Sequence, residues 1–384
     1  MKLKGKLYKI ITIALFALTL VSFTVLTFVN LPSEPAPFSE NENRNLAVFP
    51  EVSVSKYKDR SLMKGIESWF SDRFFGREQW IKVRNGTERL IGKVDVNGVY
   101  TDSDRMMQIW EGYNSEFIDK HLKAMNKFAA AYPDKQMYFL LAPTSQEVYS
   151  DLFPSCAPIG SQSELLEYCR EGLDTIQTIN VIPTMKLHKD DYIYYRTDHH
   201  WTSFGAYLAY YDAAKAMGFK PCELGEYDIE HASDSFRGTL YSKTLDDSVT
   251  PDIMDYYHLK GERSIKLSIN DGKGGGLKRY DSLYFREYLD VKDKYSSFLG
   301  PNTPYMSIET GTEGPTLLMF KDSYAHSLLP FLTSHFSRID VLDLRLINTG
   351  YSSYVKVKDY DSVMFVYNAI TFSEGTDVRK LNMK

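Results

Sequence analysis

The sequence predicts an α/β fold: a three-layer α/β/α sandwich on a mainly parallel sheet, behind an N-terminal transmembrane helix and with a mid-chain insertion. Three observations predict it. Short apolar runs bounded by turn residues alternate with longer stretches of three-to-four apolar spacing, the pattern of strands connected through helices. The runs are apolar throughout rather than alternating, as in strands covered on both faces. The first thirty residues also hold an uncharged segment long enough to cross a bilayer.

That segment is Ile10 to Val29, IITIALFALTLVSFTVLTFV, twenty residues without a charge. As a helix it spans roughly 30 Å, the thickness of a hydrocarbon core. Lys2, Lys4, Lys6 and Lys9 precede it, and the positive-inside rule keeps them in the cytoplasm and the rest of the chain outside. A cleaved signal peptide is the competing reading. Its apolar core usually runs about 7–15 residues to an A-x-A-like site, whereas this run is longer and is followed by Asn-Leu-Pro-Ser, which favours an uncleaved anchor. Residues 1–9 are thus read as a cytoplasmic tail and 10–29 as the anchor. Residues 30–50 are read as a tether, extended through Pro32, Pro35 and Pro37, and 51–384 as the main domain.

Within 61–92, Leu62, Ile66, Trp69, Phe70, Phe74 and Phe75 recur at helical spacing. Asn97-Gly98 is a turn into a short strand at Val99-Tyr100, and a second helix covers 115–131, stopping before Tyr132-Pro133. Met137 to Leu141, MYFLL, is a buried strand ended by Ala142-Pro143-Thr144. A helix over 161–179 leads to a strand at Val181-Ile182. Tyr192 to Tyr195 is a short strand, and Ser203 to Met217 a helix capped by Thr202 or Ser203. The stretch 222–300, with Gly272 and Gly274 to Gly276, reads as an irregular insertion, partly β. Thr316 to Phe320 is again a buried strand, followed by a helix over Ser323 to Phe336 and strands at 338–343 and 362–367.

The charge balance narrows the function classes. Net charge is −5, and without the four lysines ahead of the anchor the remainder carries −9. Such a body lacks the basic face that nucleic acid requires. The 28 tyrosines fit either ordinary packing or a surface that stacks on sugar rings. Three cysteines, Cys156, Cys169 and Cys222, allow at most one internal disulfide, and the sequence does not choose the pair.

Two segments carry the chemistry. One is Tyr194-Tyr195-Arg196-Thr197-Asp198-His199-His200-Trp201-Thr202, between a strand and a helix; the other is Phe320-Lys321-Asp322-Ser323-Tyr324, where a buried strand turns into a helix. A serine at such a turn sits among unpaired N–H groups that favour a developing oxyanion, although it serves equally as a plain N-cap. A serine nucleophile needs a base, and the base needs an orienting group. In extended backbone Asp198 and His200 share one side and His199 takes the other. This assigns the orienting role to Asp198 and the base to His200. A metal site on Asp198, His199 and His200 is the other functional reading, disfavoured because adjacent histidines on a strand face apart and no further ligand cluster follows.

Asp198-His199-His200-Trp201 is the signature of the DHHW family, which resembles the alginate O-acetyltransferase branch of the SGNH hydrolase superfamily. The resemblance extends through Glu42-Asn43-Arg44-Asn45-Leu46, Asn97 to Tyr100, the strand from Met137 and Lys321-Asp322-Ser323. In that branch an Asp-x-His pair precedes a Gly-Asp-Ser motif, so the resemblance implies Asp198 and His200 as partners of the nucleophile Ser323, with Lys321 in place of the usual glycine. It further implies an oxyanion donor at Asn302 beside the Ser323 N–H. His199, Trp201, Lys321 and Tyr324 are then the expected substrate contacts. The implied function is O-acetyl transfer to, or removal from, a cell-surface polysaccharide, with no cofactor and with a membrane-bound O-acyltransferase as the partner supplying acetyl groups. The alternative is a non-catalytic surface protein that binds glycan on the same fold.

Overall fold

In a computed structural model the chain is described over residues 2–32, 38–261, 263–272 and 274–383. Pro35 and Pro37 of the expected tether lie outside the described residues. Two compact units emerge, one formed by the residues up to Lys93 with Ser242–Asp246, the other by Val94–Tyr241 and the chain from Asp247 onward.

The first unit is helical. Helix α1 (Lys2–Val29) is long and apolar enough to cross a membrane over Lys6–Val29. Within the expected tether, Phe38–Ser39 pairs antiparallel with Arg44–Asn45. The Arg44 guanidinium grips Asp72 at both oxygens (2.6 and 3.0 Å), and the Ala47 N–H donates to Asp72 Oδ2 (2.7 Å). Residues 38–47 are thereby tied to helix α2 (Ser61–Arg73) rather than left extended. The single helical stretch expected over 61–92 is two helices, α2 and α3 (Arg77–Leu90). They part at Phe74–Gly76, where Phe74 turns extended and Gly76 adopts φ +67°, a conformation glycine tolerates best.

In the second unit an eight-stranded sheet forms the middle layer. Its strands are β1 (Gln136–Ala142), β2 (Gln177–Ile179), β3 (Lys266–Asn270), β4 (Leu277–Tyr280), β5 (Tyr305–Glu309), β6 (Thr316–Lys321), β7 (Arg338–Leu342) and β8 (Ser362–Asn368). The order is β4-β3-β5-β7-β6-β8-β1-β2. The five strands from β7 to β2 run parallel, while β5, β3 and β4 extend that edge antiparallel. Alternate residues of one strand enter different cores. Tyr138, Leu140, Leu317, Met319, Met364 and Val366 lie in one, whereas Met137, Phe139, Leu318, Phe320, Val363 and Phe365 lie in the other. Helices α4 (Ser115–Ala130), α5 (Gln162–Gly172) and α8 (Ala369–Glu374) cover the second face, and α6 (Ser203–Ala216) and α7 (Ala325–Leu332) the first. This is the three-layer, mainly parallel arrangement that the unbroken apolar runs predict.

Several boundaries differ from expectation. Helix α5 stops at Gly172, whose carbonyl accepts from Asn126 Nδ2 (2.8 Å), so the following strand falls at β2; Val181-Ile182 instead opens a short helix with proline in its first turn. Tyr192 to Tyr195 makes one bridge, Tyr194 with Trp201. The segment 222–300 is more ordered than expected: Tyr227–Phe236 pairs with Asp252–Leu259, and β3 and β4 join the main sheet. Helix α7 is shorter than 323–336 because turns at Ser334 and His335, whose N–H groups reach back three residues, close it.

Candidate active site

Strand β6 sits centrally, paired on both sides by parallel neighbours, and its C-terminal end is where an open α/β sheet places ligands. Asp322 and Ser323 leave it there. The Asp322 N–H continues the ladder to Val366 O (3.0 Å). Its buried carboxylate accepts from Tyr324 N (2.9 Å), Asn368 N (2.7 Å) and Asn368 Nδ2 (2.6 Å). Burial pushes this carboxyl above the ordinary range, against the nearby Arg345 charge and those hydrogen bonds. The turn is thus stitched to the end of β8 before α7 begins. Ser323 lies half-buried on it, its carbonyl accepting from His326 N (3.1 Å) and from the Tyr295 hydroxyl (3.1 Å).

The Asp198–His200 loop is built differently from the extended strand expected. Residues 196–200 form a bend closed by the Tyr194–Trp201 bridge, and Asp198 Oδ1 accepts the His200 N–H two residues on (3.0 Å). Asp198 and His200 therefore meet through a tight turn, and the two histidine rings stack obliquely 3.9 Å apart instead of facing away. Asp252 supports the loop from below, accepting from Arg196 N (2.6 Å) and Thr197 N (2.8 Å). Trp201 fixes its far end: the indole N–H reaches Tyr324 O (3.1 Å) and Ser327 Oγ (2.9 Å).

These two segments, 123 residues apart in sequence, join in one line. His200 Nδ1 lies 2.6 Å from Asp198 Oδ1 and His200 Nε2 lies 2.7 Å from Ser323 Oγ. A carboxylate only accepts, so Nδ1 carries the proton and Nε2 is left to accept from the serine hydroxyl. Asp198 Oδ2 is filled by Thr239 N (2.8 Å) and Thr239 Oγ1 (3.0 Å). Burial would raise the Asp198 carboxyl, but the adjoining His199 and His200 and these hydrogen bonds outweigh it and hold it below the carboxylate range. Tyr295 lies flat on His200 at 3.7 Å and 5°, which fixes the imidazole plane.

Lys321, Trp201 and Tyr324 are fully buried, which corrects the expectation that they touch substrate. Lys321 Nζ donates to Asn302 Oδ1 (2.8 Å) and to His326 Nε2 (2.6 Å), whose Nδ1–H donates to Phe298 O (2.9 Å). Asp343 lies 3.6 Å from Lys321 Nζ and is clasped by Arg345. Burial brings the Lys321 ammonium down to about 8 despite Asp343. Asn302, read as an oxyanion donor, has its amide oxygen occupied by Lys321 and Arg345. The usual glycine is thus replaced by a side chain directed into the protein, where it ties the 302 loop to α7.

His199 remains half-exposed, its Nδ1 donating to Thr239 Oγ1 (2.7 Å). It lines a cavity of about 110 Å³ with Gln108, Thr144, Ser145, Asn368 and Thr371. Among the described residues, Asp198, His199 and His200 also form a cluster whose donor atoms lie within 4.8 Å of one another and could hold a metal ion; Asp198 Oδ1 and His200 Nδ1 are hydrogen-bonded to each other there. Reading the sequence missed Tyr295, Thr239, Asn368 and Gly238. A Cβ on Gly238 would fall 2.2 Å from Asp198 Oδ2. Only Asn368 had a local signal, a capping residue between a buried strand and a helix.

Comparison with known proteins adds the following. The sequence profile of the family described as DHHW protein matches residues 97–342. The fold is similar to that of a DHHW family protein from Eubacterium siraeum, at 22% identity and TM-score 0.65, over 75% of this chain and 96% of that one. It is also similar to Bacillus cereus PatB1, solved with a sulfonyl adduct, at 21% identity and TM-score 0.62, over 74% and 97%. The O-acetyltransferase domain of Pseudomonas putida AlgJ aligns at 14% identity and TM-score 0.45, over 73% and 94%. No functionally curated protein matches the chain.

Proposed function

The chain belongs to the DHHW family, and from the hydrogen-bonded line at its centre we propose that it moves acetyl groups on or off an extracytoplasmic polysaccharide through Ser323, His200 and Asp198. The observation that carries this reading is the unbroken contact from Asp198 Oδ1 through His200 to Ser323 Oγ. A structure of PatB1, of the same fold, is described with a sulfonyl adduct.

In the first half-reaction Ser323 Oγ attacks the carbonyl carbon of an acetyl ester and its proton passes to His200 Nε2. Asp198 stabilises the imidazolium through Nδ1–H. The Ser323 N–H, in the turn leading into α7, faces the tetrahedral oxyanion. Breaking the ester C–O bond releases the donor alcohol, which takes the proton from Nε2 and leaves acetyl-Ser323. In the second half an acceptor hydroxyl gives its proton to Nε2 and its oxygen attacks the acetyl carbon; the C–Oγ bond then breaks and Ser323 Oγ takes the proton back from Nε2, restoring the resting pair. A glycan hydroxyl makes the reaction a transfer; water makes it a removal. The small cavity beside His199, where Gln108, Thr144, Ser145 and Thr371 stand beside Ile370, takes the sugar. Helix α1 anchors the chain in the cell membrane with the sheet-bearing unit outside, and a membrane-bound O-acyltransferase is the partner that supplies acetyl groups there.

The test is turnover of a chromogenic acetyl ester, with and without an oligosaccharide acceptor. Ser323→Ala and His200→Ala should each lose about 10³–10⁶ in rate, while His199→Ala keeps most of it. Acetylated acceptor marks transfer; free acetate alone marks removal. Folded wild type with no turnover would instead support a glycan-binding role. Equal losses at His199 and His200, with zinc bound, would support a metal site.

A further inference from the structure

Helix α3 carries charges on every side but one. At 100° per residue, Gly76, Trp80, Val83, Thr87, Leu90 and Ile91 fall in a stripe about 100° wide, and none is charged. Arg77, Glu78, Lys82, Glu88 and Arg89 fall outside it, with Arg84 at its margin. The stripe is bare: Leu90 is 89% exposed, Ile91 78%, Val83 60% and Trp80 49%.

Its position says what covers it. The Phe23 ring stacks on Phe74 (5.6 Å, 12°) and meets Phe75 at 6.4 Å and Trp80 at 5.7 Å. The Phe75 N–H donates to Thr27 Oγ1 (3.1 Å), and Thr27 is buried although α1 around it is exposed. Phe23 and Thr27 belong to the apolar run, six and two residues before Val29. At 1.5 Å per residue they lie about 9 and 3 Å inside its outer end. Whatever packs on Phe23 shares its depth.

We propose that α3 lies in the outer membrane–water interface with its Trp80–Val83–Leu90–Ile91 stripe in the lipid. The inference rests on the anchor reading of α1. A helix lying in the interface buries its apolar face about 5–10 Å deep, which matches the depth of Phe23. Tryptophan is enriched at that level. Arg84 at the margin reaches headgroups along its aliphatic stem. The anchor is thus one wall of a small helical unit seated in the bilayer, not a simple tether.

The test uses the full chain in vesicles of phosphatidylcholine and phosphatidylglycerol, with Cys156→Ser and Cys222→Ser removing the more accessible thiols and Cys169 left buried. Single nitroxide labels are introduced through Leu18→Cys, Val83→Cys, Leu90→Cys and, off the stripe, Glu88→Cys. Relaxation by oxygen, which concentrates in lipid, is compared with relaxation by a water-soluble nickel chelate. Labels at 18, 83 and 90 should favour oxygen several-fold and the label at 88 should favour nickel. A label at 18 in lipid with 83 and 90 favouring nickel would overturn the proposal while leaving the anchor standing. Labels at 83 and 90 shielded from both agents would assign the face to a second copy of the chain and equally overturn it. A label at 18 outside lipid would sink the anchor reading itself, and the proposal with it.

Discussion

Asp198→Asn probes the site's logic with almost no change in volume. The two carboxylate oxygens have separate duties: Oδ1 accepts from His200 Nδ1 and His200 N, and Oδ2 accepts from Thr239 N and Oγ1. An asparagine offers one acceptor and one NH₂ donor. If its oxygen stays with the Thr239 amide, which can only donate, the NH₂ faces His200 Nδ1. The imidazole proton then moves to Nε2, so His200 presents a donor to Ser323 and cannot take the serine proton. The alternative orientation keeps the tautomer but sets NH₂ against the Thr239 N–H, as the first sets it against the His200 N–H, so either leaves a buried donor unsatisfied at about 1–3 kcal/mol. In serine triads the wrong tautomer costs about 10⁴ in kcat, or about 5.5 kcal/mol of transition-state stabilisation. Acetyl-ester turnover should fall by that amount with KM little changed, and urea unfolding should show a loss within the range above. Turnover within tenfold of wild type, in a variant whose Ser323→Ala counterpart is inactive, would refute the orienting role of Asp198.

Gly238→Ala should act on the same carboxylate from outside the motif. Its new Cβ would sit 2.2 Å from Asp198 Oδ2 and 2.3 Å from Asp198 Cβ, so a loss of about 1–3 kcal/mol should accompany a fall in kcat, read by thermal melting and ester turnover; a variant unchanged in both would contradict the packing. Lys321→Met should alter the pH dependence of stability. The folded ammonium titrates near 8, below its free value of about 10.4, so between these the unfolded chain binds more protons. Wild-type stability then rises with pH by at most about 1.4 kcal/mol per unit, and that contribution is lost as pH falls through 8. Urea unfolding at pH 8 and pH 10 should show wild type gaining on Lys321→Met, and parallel behaviour would refute the lowered pKa.

The sheet was legible because its strands are buried on both faces. Met137 to Leu141 and Thr316 to Phe320 feed two separate cores, which no half-exposed strand could do. The antiparallel strands β3, β4 and β5 were not legible; they are short, of mixed polarity and lie among glycines. Asp198, His200 and Ser323 stood out as a motif, yet their meeting depends on a turn at 196–200 rather than on strand alternation. Tyr295 is one of 28 tyrosines in a stretch without periodicity, and only the folded chain brings it onto His200. Lys321, Trp201 and Tyr324 looked like substrate contacts through adjacency to the motif. The end of β6 and the turn after it are enclosed on both faces, so neighbours of the motif are buried whichever way they point, and all three are inside.

The central claim is that Ser323 is made nucleophilic by His200. Covalent capture tests it without knowledge of the glycan. An ordinary serine hydroxyl is too weak to react with a fluorophosphonate at neutral pH, whereas one hydrogen-bonded to an oriented imidazole does so. Peptide mass mapping of the full chain after treatment should find the adduct on Ser323, absent in Ser323→Ala and sharply reduced in His200→Ala, with both variants melting as wild type. Labelling that persists in Ser323→Ala, or folded wild type that takes no label, would contradict the account.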